Sequence, residues 1–169
     1  DEKTVVVDVK LADGTFTYRP SFQAADAVGS AVSRENLKKL TASDQYVIAR
    51  VSALGDTAYA KAHVEDAGLL RTWDQWLWYD YSGECWLDLT KPLTQSYLKQ
   101  VCKDLTDLGV DEIVLENFGW PAVGNIPAVL VPDGTDKPAV ITDFLKSLRE
   151  SLPKTTALSV LLSRNAPEN

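Results

Sequence analysis

Four short apolar runs, separated by stretches of helical periodicity, set the frame of this chain. Thr4 to Val9 (TVVVDV) reads as a buried strand, and Tyr46 to Val51 (YVIARV) as a second. Glu112 to Glu116 (EIVLE) and Ala157 to Leu162 (ALSVLL) supply the third and fourth. Ser33 can cap a short helix that turns Leu37 and Leu40 inward. From Ser52 to about Leu89 the pattern is irregular, and this stretch holds four of the five tryptophans. A helix follows, with Thr90 or Lys91 at its cap, Pro92 in the first turn and Gly109 at its end. Its apolar face runs through Leu93, Tyr97, Leu98, Val101, Leu105 and Leu108, a period of about 3.6 residues. Lys137 to Leu152 forms another helix through Val140, Phe144 and Leu148, stopped by Pro153.

Strand–helix–strand units repeated in this way predict an α/β fold with right-handed crossovers and a parallel sheet covered on both faces. An open doubly wound sheet and a barrel both satisfy the pattern. The first strand leads into Lys10-Leu11-Ala12-Asp13-Gly14, without the G-x-G-x-x-G of a dinucleotide site, and no P-loop occurs. The weight therefore shifts to parallel (β/α) units of a TIM-type barrel. A whole barrel takes about 200 residues or more. Four strands in 169 residues make about half of one, a single partial domain. The chain opens on Asp1, shows no signal peptide and contains no methionine, so we expect a piece cut from a longer protein.

Composition narrows the partners. An apolar share of 45% is enough for a core. No unbroken apolar stretch reaches the roughly 18 residues of a membrane span. The balance of 17 basic to 24 acidic residues, a net charge of −7, argues against nucleic acid and leaves neutral sugars or cationic partners open. Cys85 and Cys102 fit one disulfide or two buried thiols. Their spacing matches no zinc pattern and His63, assigned to a helix surface, is the sole histidine, so neither a metal nor a cofactor is expected.

In parallel α/β folds the site lies at the carboxyl ends of the strands. Asp8 and Lys10 stand on the first, Arg50 ends the second with Asp56 close behind, and Glu116 and Asn117 end the third ahead of Gly119-Trp120-Pro121. Ser163, Arg164 and Asn165 follow the fourth. Asp8 and Glu116 interrupt apolar runs, where a charge is costly unless paired. Arg50 can partner either. One reading is an ion pair bracing the sheet end; the other is a carboxylate held in a cleft for acid–base or nucleophilic work. Trp73, Trp76, Trp78, Tyr79, Tyr81 and Trp86 form an aromatic stretch that could stack on sugar rings or pack a long loop onto its own domain. Packing is expected for most, with Trp86 and Trp120 as the exceptions beside the cleft.

These residues resemble a known pattern. Val6-Val7-Asp8-Val9-Lys10 with Gly14 and Tyr18 is similar to a V-I-D-V-K…G…Y segment, and Tyr46 to Arg50 with Asp56 and Ala60 to a Y-V-I-A-R strand and its sequel. Trp86-Leu87-Asp88 resembles W-x-D-P, and Leu108 to Glu116 through Trp120-Pro121 resembles L-G-F-D-E-I-Q-F-D-Y-V-R-F-P. All four belong to bacterial glycoside hydrolase-like barrel domains, long catalogued as a domain of unknown function, and they recur in order over residues 4 to 121. The resemblance implies a TIM barrel related to the α-galactosidase and α-amylase groups, a carbohydrate partner, and a place outside the cell or in its envelope. By the same analogy Glu116 closes barrel strand four, the position of the nucleophile. Asp8, Lys10, Arg50, Asp56, Trp86, Asp88, Asn117 and Trp120 would then hold substrate. The sequence departs from the pattern: Glu116 replaces Asp, Gly119 replaces Arg and Leu89 replaces Pro. A retaining glycosidase needs a second carboxyl about 5 Å from the first, and in the relatives it comes from a later strand. A non-catalytic carbohydrate-binding module is therefore the alternative. A third reading pairs the half with a second copy or with the rest of a barrel, because a four-stranded parallel sheet leaves exposed edges.

Overall fold

The computed structural model describes residues 3–22 and 34–162. Its elements follow the predicted rhythm: β1 (Thr4–Lys10), α1 (Arg34–Thr41), β2 (Tyr46–Ser52), α2 (Thr57–Ala62), α3 (Pro92–Asp107), β3 (Glu112–Glu116), α4 (Lys137–Ser151) and β4 (Ala157–Val160). Ser33, expected to cap α1, and Ser163, Arg164 and Asn165 lie outside the described residues. Lys91 occupies the cap position of α3, and Gly109 leaves the helix at φ +85°, a left-handed conformation that glycine adopts without strain. Asp136 caps α4, its side chain accepting from the Ala139 N–H.

The four strands are all parallel and lie in the order β1-β2-β3-β4. A doubly wound sheet reverses its strand order at a switch point; this one never does, and sequential order is that of a barrel wall. Crossovers of one hand then put every helix on the same face. Val47, Ala49, Val51, Ile113 and Leu115 point to that face and are buried with Leu37, Leu98, Val101, Leu105, Phe144 and Leu148 in one core.

The other face carries no helix among the described residues. Val6 and Tyr46 are 57% and 42% exposed on it, and Ile48 and Val114 are half-buried. The expectation of a sheet covered on both faces is corrected here for these residues. In a closed barrel this face would be the interior. Near its lower end Glu112 accepts from the Tyr46 hydroxyl at 3.2 Å and the Ser159 hydroxyl at 2.5 Å.

Cys85 and Cys102 are free and buried, so of the two sequence readings it is the two buried thiols that hold. Burial pushes the Cys102 thiol up to about 12, which leaves it unreactive at neutral pH. No described helix is long and apolar enough to cross a membrane.

Asp104 ties α3 to the chain before α1. Arg34 donates to it twice at 2.8 Å, Tyr18 donates at 2.9 Å, and the Ser21 hydroxyl adds a third donor. Burial would raise this carboxyl, but the hydrogen bonds from Arg34, Ser21 and Tyr18 outweigh it and hold the group below its usual range. A depressed folded value means that the stabilisation is present at neutral pH and is lost as pH falls through it. The urea midpoint should therefore drop on acidification below about pH 4. Asp104→Asn should cost about 2 kcal/mol at pH 7 and flatten that acid limb. An unchanged acid limb in the variant would assign the loss to other carboxylates.

Candidate functional site

The carboxyl ends of β3 and β4 open onto a cleft of about 530 Å³. Glu116, Asn117, Trp86, Trp120, Asp80 and Leu161 are among its lining residues. Glu116 is the last residue of β3, and its backbone is fixed from the neighbouring strand. Ala53 N–H donates to the Glu116 carbonyl at 2.7 Å and Leu54 N–H to the Asn117 carbonyl at 3.1 Å. Asn117 sits at φ +50°, a conformation asparagine tolerates better than most residues, and its side-chain amide donates to the Ser52 hydroxyl at 3.0 Å. The turn that ends β3 thus releases the Glu116 side chain, 40% exposed, at the mouth of the sheet.

Arg50 makes its choice of partner plain. Its guanidinium grips Asp8 in a fork, with Nε at 2.5 Å and Nη2 at 2.9 Å, while Nε stands 3.8 Å from Glu116, beyond hydrogen-bond reach. The hydrogen bonds that Arg50 donates to Asp8, and the charge of that carboxylate, raise the Arg50 pKa. Both partners are substantially exposed, so the pair adds little stability. Its consequence is local: a fixed positive charge beside a carboxylate that keeps its lone pairs.

Trp86 and Trp120, marked from sequence as the aromatic exceptions, both line the cleft. The Trp86 indole N–H donates to Asp80 Oδ2 at 3.1 Å, and its ring meets Trp78 edge-on. Trp120 lies under the Lys137 ammonium, 4.9 Å from its ring centroid, and its buried Nε1–H has no hydrogen-bond partner among the described residues.

Asp8 and Arg50 stand beside the cleft without lining it, and Lys10, Asp56 and Asp88 lie away from it. The register shifts between Asp8 and Lys10, so that Asp8 pairs with Arg50 but Lys10 pairs with Val51. Strand alternation would have kept Lys10 on the open face; this bulge turns it to the helix side instead. There its ammonium, fully buried, meets the equally buried Asp56 at 2.9 Å and the Ser52 carbonyl at 2.6 Å. Asp56 also caps α2 through the Tyr59 N–H and accepts from the Tyr97 hydroxyl at 2.8 Å. Asp88 is buried in the loop before α3, where one carboxyl oxygen accepts from both the N–H and the hydroxyl of Thr90. Lys10, Asp56 and Asp88 therefore stand as structural residues, corrected from their expected place at substrate.

Asp80 is the lining residue that sequence reasoning passed over. It reads as an ordinary turn former in Asp80-Tyr81-Ser82-Gly83, and one oxygen does serve that turn, accepting from Ser82 and Glu84. Nothing in the sequence signals that the other oxygen orients Trp86. The aromatic stretch also departs from expectation. Only Trp78 is packed away, at 1% exposed, whereas Trp73, Trp76, Tyr79 and Tyr81 are more than half exposed. Among the described residues no cluster of His, Cys, Asp and Glu is placed to hold a metal ion.

A wall of parallel β/α units, with a carboxylate and two indoles where its strands end, defines a glycoside hydrolase-like barrel domain. The chain belongs to the family described as "Putative glycosyl hydrolase domain", whose profile matches residues 2–163. Among solved structures it is similar to a hypothetical protein from Ruminiclostridium thermocellum, with 25% identity and a TM-score of 0.78 over 95% of this chain and 83% of that one. It also resembles the galactosidase domain of an α-galactosidase–sucrose kinase, with 13% identity, a TM-score of 0.57, and 94% of this chain against 22% of that one. A GH31 α-xylosidase from a soil metagenome, solved with xylose, matches at 14% identity and a TM-score of 0.51, over 94% of this chain and 25% of that one. At those identities the last two show the fold alone. No curated protein matches the sequence.

Proposed function

We propose that the chain forms the part of a glycoside hydrolase barrel that carries the nucleophile or acid/base, Glu116. The observation behind this reading is a strand-end carboxylate free of a hydrogen-bonded cation, facing a 530 Å³ cleft walled by Trp86 and Trp120. Asp8 holds Arg50 in place, Arg50 sets the local charge, and Asn117 and the two indoles contact the sugar. The uncovered face and the outer edges of β1 and β4 are where the remaining strands of a barrel would close. A glycan outside the cell or in its envelope is the substrate proposed.

One observation favours the second reading, a carbohydrate-binding module without chemistry. The cleft's other carboxylate, Asp80, already has both oxygens engaged as acceptors. Both readings require sugar in the cleft. Titration with short gluco-, galacto- and xylo-oligosaccharides should shift the tryptophan emission, and Trp86→Ala should weaken the response about tenfold, the scale of one lost aromatic stack. A flat titration with every sugar would overturn both.

A further inference from the structure

Outside the cleft, the loop between α2 and α3 presents a second aromatic surface that the first reading does not use. We propose that Trp73, Trp76 and Tyr79, arranged around Arg71, form a platform for a polysaccharide chain, separate from the strand-end cleft. Trp73 is 61% exposed, Trp76 57%, Tyr79 54% and the neighbouring Tyr81 80%. Large rings left in water give up the burial that would repay their presence, and a cluster of them marks a surface with a partner.

The platform is built, not slack. The Arg71 guanidinium lies 5.0 Å from the Trp73 ring and 5.6 Å from the Tyr79 ring, so one cation orders both. Asp74 holds that guanidinium by two hydrogen bonds, at 3.1 and 2.7 Å. The turn between them is closed by Arg71 N–H to the Trp76 carbonyl at 2.7 Å and Gln75 N–H to the Arg71 carbonyl at 3.1 Å. Beneath it, Trp78 is buried and its indole N–H donates to the Asn125 carbonyl at 2.9 Å. The turn and the Arg71, Trp73 and Tyr79 side chains are thus held before any ligand arrives, which lowers the ordering cost of binding.

The chemistry favours a glycan over a protein. The large apolar side chains exposed in this loop are all aromatic, with no exposed Leu, Ile or Val among them. Rings edged by Arg71, Asp74 and Gln75 offer flat faces for sugar C–H surfaces and donors and acceptors for hydroxyls. The loop is also continuous with the cleft wall: Tyr79 and Tyr81 flank Asp80, which lines the cleft together with Ser82 and Trp86. A polymer lying on the platform has the cleft within reach of the same loop.

This inference rests on the carbohydrate reading of the cleft but is tested apart from it. The chain is run in affinity gels containing xylan, galactomannan or hydroxyethylcellulose, and the W73A/Y79A variant beside it. Retention by at least one polymer, reduced at least tenfold in the variant with an unchanged circular dichroism spectrum, is the expected result. The cleft variant Trp86→Ala should keep that retention while its response to short oligosaccharides weakens about tenfold. No retention on any polymer, or equal retention of W73A/Y79A, overturns the platform whatever the cleft does. If W73A/Y79A instead changes the sedimentation mass and not retention, the surface is a protein interface and the inference fails.

Discussion

Asp56→Ala should destabilise the chain by about 3–5 kcal/mol, a large share of the 5–15 kcal/mol typical of a domain. The reason lies in what the variant leaves behind. Lys10 and Asp56 have no side-chain exposure, and they meet at 2.9 Å beneath α3. Without Asp56 the Lys10 ammonium keeps only the Ser52 carbonyl and the face of Tyr97, 5.9 Å away. The Tyr97 hydroxyl, which burial and the charge of Asp56 hold firmly protonated, would lose its acceptor as well. The cap of α2 would go with them. Removing both charges together is a different matter, because a buried pair replaced by well-packed neutral groups is often close to neutral. Lys10→Met with Asp56→Asn removes both charges and keeps the α2 cap through the amide oxygen, while the amide N–H can donate to the Tyr97 hydroxyl oxygen, so the double variant should recover most of the loss. Urea unfolding of the single and double variants reads this directly. A single variant within about 1 kcal/mol of the parent would mean that water reaches Lys10 after all.

That same pair shows where sequence reading reaches its limit. The strands, α3 and α4 were legible because their apolar residues repeat at periods that only one element satisfies, as Val47, Ala49 and Val51 do on β2. The sequential barrel-type order followed from the absence of a phosphate-binding turn. Lys10 was placed wrongly because alternation puts it beside Asp8, and a one-residue bulge leaves no mark in the residues that form it. α2 was hidden in the stretch read as irregular, since six residues with a single cap carry too little periodicity to stand out.

The uncovered face has a more instructive cause. Val6, Ile48 and Val114 made the strands read as buried on both sides, and the described residues bury only one. Their apolar character matches the interior of a closed barrel, where the facing strands would cover them. On the proposed reading, sequence pattern reports the environment of a closed barrel, of which the described residues form one wall. The exposed aromatics misled in the opposite sense. Composition cannot separate a Trp that packs from one left in water, and the outward Trp76 beside the inward Leu77 and Trp78 follows no simple period that sequence could have revealed.

On the proposed hydrolase reading, Glu116→Gln should lower glycoside turnover by about 10³-fold, or about 4 kcal/mol of transition-state stabilisation, with little change in sugar binding. Glutamine keeps the shape of the side chain and its place in the cleft, and removes only the charge. Asp8→Asn tests the surroundings: it weakens the fork on Arg50, which then has Glu116 3.8 Å away as its remaining carboxylate. A fall of about tenfold is expected there, since the carboxylate is still present but newly paired. Asp80→Asn should act mainly on binding, because its oxygens hold a turn and Trp86. Azide added to Glu116→Ala distinguishes the two roles open to this residue. A glycosyl azide of inverted configuration identifies Glu116 as the nucleophile, since the small anion then attacks in its place. A product of retained configuration identifies it as the acid/base, with azide replacing water on a covalent intermediate formed by another carboxyl. Full turnover in Glu116→Gln would remove Glu116 from the chemistry. Sugar binding without turnover in the parent barrel would favour the module that kept the wall and lost the reaction.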